Sequence, residues 1–121
     1  MLRELNNMKN ITILIPGIRT PKWKNLLESL KQTCKRYSYE VLFTSPFDMP
    51  QEIKERDNIK LIKSYATIPV CVQRSVLEIN SELFFLTVDD CVFAEDALDE
   101  ALDLYHEKCT EKDVVSAIYG E

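Results

Sequence analysis

Two adjacent carboxylates, Asp89 and Asp90, follow the run Leu83-Phe84-Phe85-Leu86-Thr87-Val88. Neighbouring acids repel unless a positive charge is shared between them, and hard divalent cations prefer oxygen ligands. The pair could hold Mg²⁺ or Mn²⁺ and, through it, a phosphate group. It could equally solvate a turn and favour the positive start of the next helix. The two residues taken alone leave both readings open.

The run before the acids is continuous, apolar and too short for a buried helix, which predicts a central strand covered on both faces. From Ala94 the pattern becomes Ala94, Ala97, Leu98, Ala101, Leu102 and Tyr105, one apolar stripe at helical spacing, with Glu95, Asp96, Asp99, Glu100 and Asp103 on other faces. The acids therefore fall in a strand-to-helix turn at the carboxyl end of a strand, where open α/β sheets bind their ligands.

The remaining segments supply a sheet for that strand. Ile11 to Ile15 reads as a first strand broken by Pro16-Gly17. Thr20-Pro21 then reads as an N-cap and first helical position, and Trp23, Leu26, Leu27, Leu30 and Cys34 repeat at helical spacing. Tyr39 to Thr44 and Asn58 to Ile62 predict two more strands, with at most a short helix over 50–55. Pro69 can open a helix through Asn80 whose Val72, Val76 and Ile79 face the sheet, and Asp113 to Tyr119 predicts a last strand. This alternation calls for an α/β fold, a three-layer α/β/α sandwich with a mainly parallel central sheet. Its carboxyl edge would gather Pro16 to Arg19, Ser45 to Asp48 and Asp89 to Cys91.

Composition narrows the function. A chain of 121 residues is one domain, read here as a polar leader over 1–9 and a single domain over 10–121. With 20 acids against 15 bases the net charge is −5, and no basic stripe with interleaved aromatics appears, which disfavours a nucleic-acid polymer as partner. No apolar run approaches the ~20 residues of a membrane span, and the leader is unlike a signal peptide, so a cytoplasmic protein that is not transmembrane is expected. Cys34, Cys71, Cys91 and Cys109 lie too far apart for a zinc knuckle or a disulfide framework. Cys91 could face the site or pack as a half-buried turn residue. Two glycines, Gly17 and Gly120, cannot build a phosphate loop or a dinucleotide fingerprint. His106, with no second ligand at metal spacing, reads as a surface residue.

The acidic turn resembles the Asp-x-Asp region of family 2 glycosyltransferases, which have the GT-A fold of nucleotide-diphospho-sugar transferases. Ser81-Glu82-Leu83 opens the segment, Asp89-Asp90 fall at the second and third acidic places, and Phe93, Asp96 and Leu98 follow without a gap. Val88 stands where many members carry the first acid, although a subset of the family also lacks it. Ile15-Pro16 with its short loop is similar to the family's Ile-Pro-Thr-Tyr-Asn start, and Ser29 to Thr33 is similar to its Ser-hydrophobic-x-Gln-Thr. Tyr39 to Thr44 resembles a strand that in the family ends in Asp-Asp-Gly-Ser, where this chain has Ser45-Pro46-Phe47-Asp48.

The resemblance implies a nucleotide-diphosphate sugar, a UDP-sugar before other donors, bound through Mn²⁺ or Mg²⁺ and transferred to an acceptor the sequence does not identify. Asp90 would be the metal ligand and Asp89 would lie near the ribose or donor sugar. Pro16, Gly17, Ile18 and Arg19 would meet the base, with Arg19 otherwise an ordinary solvated loop charge. Ser45 or Asp48 would stand in for the missing base-binding acid. Val72 and Gln73 fall at the family's Arg-Asn positions, with Arg74 one residue later, either a diphosphate ligand or a helix-surface cation. The resemblance covers roughly residues 10 to 119, the donor-binding half of the usual fold, and no catalytic base is among them. The alternative is a non-catalytic remnant acting as a binding or interaction module, its bare apolar sheet surface open to a second copy in a homo-oligomer.

Overall fold

The computed structural model describes residues 9–53, 58–110 and 113–115. Strands β1 (Lys9–Pro16), β2 (Tyr39–Ser45), β3 (Ile59–Lys63) and β4 (Ser81–Leu86) form one sheet in the order β3-β2-β1-β4. Every neighbouring pair is parallel, with Ile13 beside Val41 on one side and Phe85 on the other. Three α-helices connect or follow them: α1 (Trp23–Thr33), α2 (Ile68–Leu77) and α3 (Ala97–Lys108). Parallel strands need long crossovers, and helices placed in those crossovers cover the sheet faces.

Side-chain alternation sorts the two faces. Ile11, Ile13, Ile15, Val41, Phe43 and Ile59 are buried on one side in a cluster with α1 residues Trp23, Leu26 and Leu30 and α3 residues Leu98 and Leu102. Trp23 lies flat on Phe43, with ring centroids 4.0 Å apart and planes 9° from parallel. On the other side Thr12, Leu14, Leu42 and Thr44 are buried, and Ser75 of α2 meets Thr44 there with its hydroxyl 2.6 Å away. Helices thus lie on both faces of an all-parallel sheet, as the alternation of elements predicts.

Several details differ from expectation. Among the described residues β4 is an edge strand, paired with β1 alone, and the face carrying Phe84 (52% exposed) and Leu86 (49%) is uncovered. A continuous apolar run cannot distinguish a strand buried on both faces from one left half bare, because that depends on where α2 lies. Helix α2 buries Cys71 and Ser75, whereas Val76 is exposed. The polar Thr44 beneath it donates to the Ser75 hydroxyl, which in turn donates to the Cys71 carbonyl at 2.9 Å. Thr20 and Pro21 sit in a 3₁₀ turn (Thr20–Lys22) and Thr20 makes no side-chain cap, so α1 proper starts at Trp23. Helix α3 starts at Ala97 rather than Ala94. Pro50 to Ile53 make a turn closed by Ile53 N–H donating to the Pro50 carbonyl at 3.0 Å, not a helix; 54 and 55 lie outside the described residues. Asp113 to Val115 are not in a strand, and the rest of the expected last strand, like residues 1–8 of the leader, lies outside the described residues, while Lys9 already belongs to β1.

Candidate ligand crevice at the carboxyl edge

The candidate site lies where β1 and β4 leave the sheet side by side. Thr87 N–H still donates to the Leu14 carbonyl at 3.1 Å, and Gly17 N–H to the Thr44 carbonyl at 3.0 Å, so both chains exit with the ladder behind them satisfied. Two residues later Asp89 turns inward. Its side chain is 1% exposed. Asp89 Oδ2 accepts from Arg19 N–H at 2.6 Å and from the Trp23 indole N–H at 3.2 Å, while Oδ1 accepts from Arg19 Nη1 at 3.0 Å. A buried carboxylate is tolerated when donors and a cation meet it in this way.

Gly17 makes that approach sterically feasible. A Cβ at Gly17 would overlap the Asp89 carboxylate and stand 2.8 Å from its Cβ. The φ of Gly17 is not positive, so the glycine is required for space rather than for backbone freedom. Asp89 thereby clamps the Gly17-Ile18-Arg19 loop onto the start of α1.

Asp90 is left to face solvent. Its side chain is 43% exposed, and Oδ2 lies 3.9 Å from Arg19 Nη1, a long contact beside the tight one to Asp89. The Arg19 side chain is 54% exposed, so a single guanidinium stands beside two carboxylates at the carboxyl edge of the sheet.

Farther along the same edge lie the ends of β2 and β3. Ser45 is buried; its carbonyl accepts from Ser64 N–H at 3.1 Å and its hydroxyl from Phe47 N–H at 3.2 Å. Arg74 Nη1 reaches the Ser64 hydroxyl at 3.4 Å. Asp48 pairs with Lys63 at 2.5 Å, and this bond raises the lysine's pKa.

The residues singled out from sequence thus separate. Gly17, Arg19, Asp89 and Asp90 come together, Ser45 and Arg74 meet through Ser64, and Asp48 is engaged by Lys63. Pro16 is buried at the end of β1, Ile18 is exposed in the middle of the loop, and Gln73 is exposed next to Arg74. Cys91 is half buried against the core, with its sulfur 3.1 Å from the Thr87 hydroxyl. Trp23, Lys63 and Ser64 were not singled out for the site. Trp23 carried a usable signal, since a buried indole has one donor that must find an acceptor. A cavity of about 150 Å³ between α1 and β3, lined by Lys24, Leu27, Tyr39, Ile53 and Asn58 among others, shares no residue with this site.

The fit of a metal turns on these bonds. Asp89 offers little, because both of its oxygens are occupied by its own chain, and among the described residues no group of three or more His, Cys, Asp or Glu could hold an ion. Asp90 offers a partly exposed carboxylate. One carboxylate does not make a cage of protein ligands, and a hard cation there would need most of its oxygens from elsewhere.

No protein-family model matches this sequence, and no curated protein matches it. No helix among the described residues is long and apolar enough to cross a membrane.

Proposed function

We propose that the chain binds a nucleotide-diphosphate sugar at the carboxyl edge of its sheet, as the donor-binding part of a GT-A-like glycosyltransferase. The observation that carries this reading is the exposed Asp90 carboxylate beside the Arg19 guanidinium, held at the exit of two adjacent parallel strands by the buried Asp89 clamp. Opposite charges there suit a diphosphate and its counter-ion. Asp90 would hold the divalent ion, which when bound would stabilise the charge developing on the leaving diphosphate. Arg19 would bind phosphate oxygens, and Asp89, through the clamp, would position both. Arg74 would be a further phosphate-binding candidate, whereas the buried Ser45 hydroxyl is held by Phe47 N–H.

A second reading, a non-catalytic binding module, is favoured by one observation: Asp89 and the Ser45 hydroxyl are spent on the chain's own loops. Calorimetry with a panel of nucleoside diphosphates, with and without Mn²⁺, tests the common part. Binding strengthened by Mn²⁺ in the wild type, with that gain lost in Asp90→Ala, is expected; indifference of the wild type to every nucleotide sinks the donor-site reading. Release of nucleoside diphosphate from a nucleotide sugar then separates transferase from binder.

A further inference from the structure

We draw no further inference here: the strongest candidate, the bare apolar face of the edge strand β4 around Phe84 and Leu86, carries none because nothing in the structure shows what covers it.

Discussion

At the scale of single residues, Asp89 and Asp90 are neighbours in the chain with opposite fates. Asp89 is closed in by three donors from its own chain, and Asp90 is left half in water. Asp89→Ala would strand the buried Trp23 N–H and release the Arg19 loop, costing about 2–4 kcal/mol in a urea or thermal melt. Gly17→Ala should cost about 1–3 kcal/mol, since the new methyl group meets a carboxylate that cannot withdraw without losing those bonds. Asp90→Ala, which breaks only the 3.9 Å contact, should stay within about 0.5 kcal/mol of wild type, so its effect on ligand binding can be read without a folding correction.

At the scale of elements, the C-terminal end of α1 and the start of α3 are joined by polar bonds around a buried thiol. Leu98 N–H donates to the Thr33 hydroxyl at 2.9 Å, Asp96 N–H to the Gln32 carbonyl at 3.1 Å, and Lys35 and Arg36 N–H groups to the Asp99 carboxylate at 3.0 and 3.1 Å. These bonds explain the late start of α3. Asp96 takes a left-handed conformation at φ 60° to reach Gln32, a turn that Asp tolerates better than most residues, and Ala94 is left outside the helix. Cys34 lies inside this junction, and burial first, then the nearby Asp99 carboxylate, push its thiol from 9.0 up to about 11. A raised folded-state value means that the neutral thiol stabilises the fold fully below pH 9 and that this contribution, on the order of 2 kcal/mol, is lost as pH rises towards 11. Tyr37, raised chiefly by its hydrogen bond to Asp103, adds in the same direction. Urea unfolding at pH 8 and pH 10.5 should show the loss in wild type and a smaller one in Cys34→Ala.

At the scale of the whole molecule, the sheet is covered unevenly. The face under α1 and α3 is closed, with Phe43 stacked on Trp23 in its centre, and the other face is covered by α2 over β1 and β2 while Phe84 and Leu86 of β4 stay bare. Phe43→Ala should cost about 3–5 kcal/mol, and Phe84→Thr no more than about 0.5 kcal/mol, in the same denaturation assay. A loss of several kcal/mol from Phe84→Thr would mean that β4 is covered in solution, which a sedimentation measurement on the same samples would reveal as self-association.

The four described strands, the helix over Trp23 to Thr33 and the place of the acidic turn were legible in the sequence because each depends on a local period: two for strands, 3.6 for helices, and the break between them. Alternating elements likewise implied the parallel sheet, since parallel neighbours require crossovers. Local pattern carried no information on which strand ends at an edge, or on whether α2 turns Ser75 or its valines towards the sheet. Nor did it separate the roles of the two aspartates. Only the folded chain brings Gly17, Arg19 and Trp23, some seventy residues away along the sequence, against Asp89, and that meeting of β1 with β4 decides which acid is buried and which is left at the surface.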